Sequence, residues 1–384
     1  MRATLCAPLQ PPTPGQTPIN GPTYQGVEVA TWIFLSLTGI IAPSQRSVPT
    51  MTYDIYAIGN ALVDSEYEVS DTQLQAMGVE KRRMTLIDVE RRTELLSHLT
   101  HVTPRRSGGG SAGNTVVALA QLGGRAFYSC RVADDELGAF YAQDLAANRV
   151  ETNLTRTQGT PGVTGSCMVL ITPDAERSMS TFLGATAELD VAALHEPAIA
   201  QAKIYYMEGY LAASPTGLQA ALQGRKIAEA NGVGLATTLS DVSMIQFCRE
   251  GLTAIIGQRL DYLFCNEEEA QAWCGTQDLQ AVYGQISQLA GTVCLTRGSL
   301  GCVVLEGGQQ TTVPAISVKA LDTNGAGDMF AGAFLYAVTH GHSHLEAATL
   351  ANQAAAEVVA QHGNRLSQDK MNALKARFEQ KLAS

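Results

Sequence analysis

Short apolar segments alternate with segments of helical periodicity through much of this chain, and this alternation limits the folds that it can adopt. A strand-like segment at Ala126 to Val132 precedes a helical pattern at Leu137 to Asn148, and further apolar runs follow at Lys203 to Glu208, Gly234 to Leu239 and Val293 to Thr296. Apolar runs of this length between helical patterns are typical of parallel strands buried between layers of helices. The sequence therefore predicts an α/β fold with a mostly parallel central sheet.

Other strand-like segments do not fit into that alternation. Two of them, Glu66 to Ser70 and Arg83 to Asp88, lie before the first clear helix, and Gly165 to Thr172 and Arg177 to Leu183 flank a turn at Pro173-Asp174 as a hairpin would. We expect these segments to form a second, outlying sheet.

The first fifty residues differ from the rest of the chain. Eight of the 14 prolines precede Met51, and the stretch up to Tyr24 has neither helical nor strand periodicity. The apolar stretch Val29 to Ala42 is short for a membrane-spanning helix, and it lacks the adjacent basic region of a signal peptide. We expect residues 1–50 to be a poorly ordered, proline-rich leader, with the native chain starting at Met51 and one folded domain over residues 51–384.

Charge and cysteine content argue against several classes of function. The chain has 26 Lys and Arg against 36 Asp and Glu, and the net charge of -10 disfavours binding to nucleic acid or to anionic membranes. The eight cysteines include no CxxC pair and stand mostly in apolar stretches, which indicates buried thiols in a reducing compartment. We predict a cytoplasmic protein with no nucleic-acid or membrane partner.

The segment DTNGAGDMFAGAFL, Asp322 to Leu335, is the most informative about chemistry. Gly325, Ala326 and Gly327 form a small-residue loop, and a helical apolar pattern follows Asp328. A helix that begins here presents free backbone N–H groups and the positive end of its dipole, and both favour phosphate oxygens. A carboxylate in the first turn is placed to act as a base, although Asp328 also fits a simple first-turn acid.

This segment resembles the C-terminal signature of the ribokinase-like, or PfkB, family of carbohydrate and nucleoside kinases. In that family the aspartate that matches Asp328 is the general base, and the amides that match Gly325, Ala326 and Gly327 form an anion hole. The resemblance implies a three-layer α/β/α sandwich with a small β-sheet lid, here about residues 62–88 and 162–184. It also implies an enzyme, a phosphotransferase with an alcohol group as acceptor.

Two upstream motifs resemble the sugar-binding elements of the same family. Gly59-Asn60 with the nearby Asp64 looks like the first element, and the glycine-rich stretch up to Asn114 looks like the second. Carboxylate and amide groups suit sugar hydroxyls, which both donate and accept hydrogen bonds. Plainer alternatives are a turn-forming role for Asn60 and a helix-start role for Asn114. The substrate-binding residues that the resemblance implies are Asn60, Asp64, Gly109, Gly110, Asn114 and Asp328.

Two further motifs resemble the nucleotide-binding elements of the family. Asn266-Glu-Glu-Glu269 is similar to the NxxE motif, which implies that Asn266 and Glu269 hold Mg²⁺ through water; a capped, solvated helix start is the alternative. The stretch Thr296 to Gly301 resembles the loop that lies against ATP. The implied cofactors are ATP and Mg²⁺, and a monovalent cation is left open. The implied ATP-binding residues are Asn266, Thr296, Arg297, Gly298, Gly301 and Asn352.

The motifs look more like the adenosine-kinase branch of the family than the fructokinase branch. The expected reaction is therefore phosphorylation of the primary 5′ hydroxyl of adenosine to AMP, as in purine salvage. Met179, Phe182 and Leu183 could form an apolar slot for the base, and Arg177 could meet phosphate from the lid. The alternatives are a fructokinase or ribokinase type of sugar kinase, and a catalytically silent binding protein on the same fold. The expected partners are ATP and a small nucleoside or sugar, in a monomer or a homodimer.

Overall fold

The computed structural model describes residues 52–154, 160–174 and 176–383. The predictions of a leader over residues 1–50 and of a start at Met51 lie outside the described residues. In chain order, the strands are β1 (Tyr53–Ile58), β2 (Leu62–Glu68), β3 (Met84–Leu86), β4 (Arg105–Gly109), β5 (Ala126–Ser129), β6 (Glu151–Thr152), β7 (Ser166–Ile171), β8 (Arg177–Phe182), β9 (Ala202–Met207), β10 (Gly234–Thr238), β11 (Leu260–Asn266), β12 (Ala290–Thr296), β13 (Cys302–Glu306) and β14 (Gln309–Val313).

The α-helices follow the strands in the alternation that the sequence predicted. In chain order, they are α1 (Asp71–Ala76), α2 (Val89–His98), α3 (Ser111–Gln121), α4 (Glu136–Ala147), α5 (Glu196–Ala200), α6 (Pro215–Ala230), α7 (Val242–Phe247), α8 (Arg249–Ile256), α9 (Glu267–Cys274), α10 (Leu279–Ile286), α11 (Ala326–Thr339), α12 (His344–Val359) and α13 (Gln368–Leu382). No helix within the described ranges is both long enough and apolar enough to cross a membrane.

Nine strands of the described chain form a large sheet in the order β14-β13-β12-β11-β10-β9-β1-β5-β6. All neighbours from β12 to β6 are parallel, whereas β13 pairs in antiparallel fashion with both β12 and β14. Every residue of the central strand β1 is buried, because helices cover both faces of the sheet.

Each face of the large sheet has its own hydrophobic core. On one face, Phe334 of α11 and Leu350 of α12 pack with Val117 of α3, and on the other face, Leu235 of β10 packs with Ile255 of α8. The predicted three-layer α/β/α sandwich with a mostly parallel central sheet is confirmed.

A second, smaller sheet has the strand order β3-β8-β7-β2-β4. The predicted outlying strands and the hairpin of β7 with β8 belong to this sheet. Two helices that the sequence did not predict, α1 and α2, cover one face, where Leu74 and Leu95 pack on Tyr67 and Met168. The small β-sheet of the predicted fold is therefore present, and its function as a lid stays a prediction.

Four parallel strands of the large sheet end next to residues with potential chemical function. The chain continues from β1 into Gly59-Asn60, from β9 into Glu208 and from β12 into Arg297, and β11 ends on Asn266 itself. The carboxyl ends of parallel strands lie at one edge of a sheet, so these residues lie along the same edge, and Asn266 lines the cleft that opens there.

Candidate active site

The N-terminus of α11 carries the segment that the sequence singled out. Gly325 is the N-cap residue with φ +76°, and a Cβ there would lie 2.6 Å from the carbonyl oxygen of Asn364, so only glycine fits without strain. The N–H of Ala326 donates to the carbonyl oxygen of Thr323 at 3.2 Å. Among the described residues, the N–H groups of Gly327 and Asp328 have no acceptor, and nothing lies within 4 Å of a Cβ built on Gly327. These two N–H groups are therefore free to bind an anion.

Asp328 projects from the first turn of α11 toward α3. Its Oδ1 accepts a hydrogen bond from Oγ of Ser111 at 2.6 Å, and its Oδ2 accepts one from Nδ2 of Asn114 at 2.9 Å. Loss of water around the carboxyl raises the pKa of Asp328, whereas these two hydrogen bonds and the charge of Arg365 oppose that rise. Both carboxyl oxygens are thus held from the α3 side.

A second carboxylate, Asp64, lies on β2 close to the start of α3. Its Oδ2 accepts a hydrogen bond from Nδ2 of Asn364 at 2.8 Å, and a Cβ on Gly109 would come within 2.6 Å of its Oδ1. Burial raises the pKa of Asp64 to about 7, with smaller contributions from the charges of Glu66 and Asp328. The absence of a side chain at Gly109 therefore leaves room for the Asp64 carboxylate.

Asn60 and the turn at Gly110 are tied together by a buried carboxylate. Glu208 is 1% exposed, and its Oε1 accepts from Nδ2 of Asn60 at 2.8 Å while its Oε2 accepts from the N–H of Ala112 at 2.8 Å. Gly110 has φ +82°, and a Cβ there would collide with the carbonyl oxygen of Asn60. Burial raises the pKa of Glu208 to about 7, although the hydrogen bonds from the N–H groups of Ala112 and Asn60 lower it. The Asn60 amide therefore has a partner within the protein.

A cleft of about 640 Å³ extends from Asp328 over the carboxyl ends of β10, β11 and β12. It is large enough for a nucleotide, and the open space beside Gly327 gives phosphate access to the free N–H groups of α11. On the far side, the apolar residues Ile316 and Val318 line the cleft. The predicted residues that line it are Asn266, Glu269, Thr296, Gly298, Gly301, Asn352, Ala326, Gly327 and Asp328.

Asn266 and Glu269 form a reciprocal pair at the start of α9. Oδ1 of Asn266 accepts from the N–H of Glu269 at 2.7 Å, and Nδ2 of Asn266 donates to Oε1 of Glu269 at 2.7 Å. Burial raises the pKa of Glu269 to about 7. No group of three or more His, Cys, Asp or Glu able to hold a metal ion occurs in the described part of the chain. Oxygen atoms of this pair suit Mg²⁺ that keeps most of its water ligands.

Two predicted nucleotide-site residues have contacts that the motifs did not indicate. Arg297 does not line the cleft; its Nε donates to Glu267 in a salt bridge. Nδ2 of Asn352 donates to the carbonyl oxygens of Val313 at 3.0 Å and Pro314 at 3.2 Å. Asn352 thereby fixes the chain that leads into the apolar side of the cleft.

The position of Arg177 also differs from the expectation that it meets phosphate. Its Nη1 lies 3.0 Å from Oδ2 of Asp322 and 3.3 Å from Oε1 of Glu66, so it joins the small sheet to the loop before α11. Within the small sheet, side chains alternate between faces, which puts Met179 on the same face as Asp64 and Phe182 on the other. Of the two strand residues in the predicted slot, only Met179 therefore faces the site.

Four residues of this site escaped the sequence analysis: Ser111, Glu208, Asn364 and Arg365. Ser111 stands inside the glycine-rich motif, and its place directly after Gly110 was the available signal. Glu208 ends a buried apolar run, a position at which a carboxylate is unusual. For Asn364 and Arg365, far along the chain from every motif, no local signal exists.

Comparison with known proteins agrees with the fold. The profile described as "pfkB family carbohydrate kinase" matches residues 83–371. Adenosine kinase 1 of Arabidopsis thaliana is 30% identical over 61% of this chain and 73% of its own length. The crystal structure of adenosine kinase from Sinorhizobium meliloti is 35% identical with a TM-score of 0.75, and covers 86% of this chain and 99% of its own.

A crystal structure of a probable sugar kinase from Rhizobium etli CFN 42 is similar to the same degree. It is 34% identical with a TM-score of 0.76, and covers 85% of this chain and 99% of its own. The family profile spans most of the described residues, including the glycine-rich turn before α3 and the N-terminus of α11. The chain therefore belongs to the pfkB family of carbohydrate kinases, enzymes that transfer a phosphoryl group to a hydroxyl group.

Proposed function

We propose that this protein phosphorylates the primary 5′ hydroxyl of a ribonucleoside, with adenosine as acceptor and AMP as product. The observation that carries the proposal is the position of Asp328, which borders the 640 Å³ cleft while Ser111 and Asn114 hold its carboxyl oxygens. The adenosine kinases of A. thaliana and S. meliloti, at 30% and 35% identity, support the nucleoside assignment.

In the proposed reaction, Asp328 accepts the proton of the acceptor hydroxyl. The free N–H groups of Gly327 and Asp328, at the positive end of α11, stabilise negative charge on the transferred phosphoryl group. Phosphoryl transfer depends mainly on such positioning and charge stabilisation. The Ala326 N–H already has an acceptor, so the proposed anion hole consists chiefly of the two N–H groups that follow it.

The nucleotide side of the cleft supplies the second part of the proposal. Asn266 and Glu269 would hold Mg²⁺ through its water ligands, and the ion would neutralise phosphate charge. Thr296, Gly298 and Gly301 border the same cleft, and its apolar wall at Ile316 and Val318 suits the adenine of ATP. A requirement for a monovalent cation stays a prediction.

The acceptor side is proposed to bind ribose hydroxyls through Asp64 and Asn114. Asn60, whose amide is bonded to Glu208, is proposed to keep the two glycine turns together. Met179 shares the face of Asp64 on the small sheet and offers an apolar surface to a base. The lid function of residues 62–88 and 162–184 is part of this proposal.

A sugar kinase is the second candidate function. The probable sugar kinase of R. etli, at 34% identity and TM-score 0.76, favours it, and the hydroxyl-binding groups Asp64 and Asn114 suit a free sugar equally. A catalytically silent binding protein is disfavoured, because Asp328, Gly325 and Gly327 are all retained.

The experiment that tests the proposal is a comparison of acceptors. Residues 1–384 are incubated with ATP and Mg²⁺ and adenosine, inosine, guanosine, cytidine, ribose or fructose, and phosphorylated products are measured. We expect the highest kcat/KM for adenosine, with phosphate on the 5′ oxygen. Activity on free sugars alone would replace the nucleoside assignment by the sugar-kinase alternative, and no product from any acceptor would contradict both.

A further inference from the structure

Asn364 lies in the connection between α12 and α13, outside every motif of the sequence, yet it contacts the acceptor side of the site. It is 3% exposed. Its Nδ2 lies 2.8 Å from Oδ2 of Asp64, 3.2 Å from the carbonyl oxygen of Gly108 and 3.3 Å from Oδ1 of Asn114. The turn that contains Asn364 is therefore fastened to β2, β4 and α3 at once.

The next residue, Arg365, determines the orientation of the Asn114 amide. Its Nε donates to Oδ1 of Asn114 at 2.9 Å, and its Nη1 donates to Asp144 on α4. A guanidinium group has only donors, so the oxygen of the amide must face Arg365 and its NH₂ group must face Oδ2 of Asp328. The reversed amide would direct its oxygen at the carboxylate and its NH₂ at the guanidinium, and both contacts would be repulsive.

Arg365 also supplies positive charge to a cluster of acids. Its charge lowers the pKa of Asp328, and it is the main opposing charge for Asp64, whose pKa burial raises to about 7. The other titratable groups that act on Asp328 or respond to it come from the neighbouring elements: Asp64 of β2, Tyr206 of β9, Glu208, Tyr210, and Glu269 of α9. These groups are acids and tyrosines, which supply no positive charge. The second cation that lowers the pKa of Asp64 is Arg177 of β8, and its effect is smaller than that of Arg365.

We infer that Arg365 is a positioning residue for phosphoryl transfer: it orients Asn114 against Asp328 and balances the negative charge of the acceptor site. The inference rests on the proposed function, because Arg365 acts through the proposed base. Arg365 does not line the 640 Å³ cleft, so its loss should leave nucleotide binding in place.

Two substitutions separate the charge of Arg365 from its geometry. Arg365→Gln removes the charge, so the pKa of Asp328 rises, and the acidic limb of kcat/KM against pH should move up by about one pH unit. Arg365→Lys keeps the charge but replaces the separate Nε and Nη1 donors to Asn114 and Asp144 by one ammonium, which lacks the fixed geometry of the guanidinium. It should keep the acidic limb of the wild type while kcat falls by up to about 100-fold.

The matched control is Arg377→Gln on α13, where Arg377 forms a salt bridge with Glu357 and its side chain is 55% exposed. It should retain the wild-type kcat and pH profile. Binding of ATP and thermal unfolding are measured for all variants, and Arg365→Lys keeps the test decisive if Arg365→Gln does not fold. A folded Arg365→Gln with an unshifted acidic limb, or Arg365→Lys with the wild-type kcat, would overturn the inference.

Failure of this inference is distinguishable from failure of the proposed function. Asp328→Asn is assayed alongside: wild-type turnover in that variant contradicts the proposed base, and with it the role of Arg365. If Asp328→Asn is inactive while both Arg365 variants behave as the wild type does, only the inference about Arg365 is wrong.

Discussion

At the scale of single residues, Asp328 combines three conditions that a general base for a hydroxyl requires. Its carboxyl is held in place by Ser111 and Asn114, it borders the cleft, and it lies in the first turn of α11 beside free N–H groups. Burial raises the pKa of Asp328, whereas the hydrogen bonds from Ser111 and Asn114 and the charge of Arg365 lower it. A carboxylate held in this way is placed to receive the proton of an acceptor hydroxyl.

Replacement of Asp328 by Asn should remove most of the turnover, because an amide cannot accept the proton. We expect kcat to fall by about 10²- to 10⁴-fold with ATP affinity nearly unchanged. Steady-state kinetics and calorimetric titration with ATP measure the two quantities. Asp369→Asn, in the first turn of α13, is the matched control for loss of a first-turn acid, and should keep wild-type kcat. Wild-type turnover in Asp328→Asn would contradict the mechanism.

The contacts of Asn60 show that a sequence motif does not identify the hydrogen-bond partner of a residue. The motif singles out Asn60, but the partner of its amide is Glu208, which lies 148 positions later in the chain. Asn364 and Arg365 follow the same pattern, since their contacts with Asp64, Asn114 and Asp144 join distant segments. Sequence patterns describe local conformation, whereas hydrogen bonds across the site depend on how the elements pack.

At the scale of elements, the loop before α11 determines where its free N–H groups point. Gly325 turns the chain through φ +76° against the carbonyl oxygen of Asn364, and Asp322 accepts from the N–H of Asn324 at 3.1 Å and of Gly363 at 2.9 Å. The helix start is therefore fastened to the turn between α12 and α13.

Gly325→Ala should both destabilise the protein and impair catalysis. The left-handed conformation costs a non-glycine residue about 1–2 kcal/mol, and the added Cβ must displace the Asn364 carbonyl from 2.6 Å. Chemical denaturation and kcat are measured together. Gly308→Ala is the matched control, because Gly308 has φ +79° but nothing within 4 Å of its Cβ. We expect similar backbone strain in Gly308→Ala with unchanged kcat. Wild-type kcat in Gly325→Ala as well would mean that the loop before α11 tolerates displacement of the Asn364 carbonyl without loss of catalysis.

The sequence predicted most elements of the large sheet but erred in two instructive places. The alternative of Asn114 as the helix start is wrong, because α3 begins at Ser111 with Gly110 as its N-cap residue, and Asn114 lies inside the first turn. The helices α1 and α2 were missed; α1 spans only Asp71–Ala76, too short for a helical period to stand out, and its hydrophobic contacts are with the small sheet.

At the scale of the whole molecule, the strand order of the large sheet could not be deduced from local patterns. β1 lies between β5 and β9, which are far from it and from each other in sequence, and the small sheet joins β2 to β7 across about a hundred residues. The resemblance to the family supplied the architecture that periodicity left undetermined. The position of the small sheet relative to the large sheet depends on contacts such as that of Arg177 with Asp322, and the proposed lid function depends on the same contacts.

Arg177 is the residue through which the lid hypothesis can be tested. It is carried by β8 of the small sheet, its side chain is 14% exposed, and it forms an ion pair with Asp322 in the loop before α11. A contact of this kind would hold the small sheet over the site while the phosphoryl group is transferred and would keep water out. Arg82, in the turn before β3, forms a surface pair with Glu176, and its side chain is 68% exposed.

Arg177→Met should therefore raise KM for the acceptor and increase ATP hydrolysis that is not coupled to transfer. The measurement is the ratio of ADP formed to acceptor phosphorylated, which should exceed the wild-type ratio because water reaches the phosphoryl group in a less tightly closed site. Arg82→Met should leave the ratio unchanged, since exposed ion pairs contribute little. If Arg177→Met retains the wild-type ratio and KM, this ion pair does not control access of water, and the small sheet would have to exclude water through contacts other than Arg177.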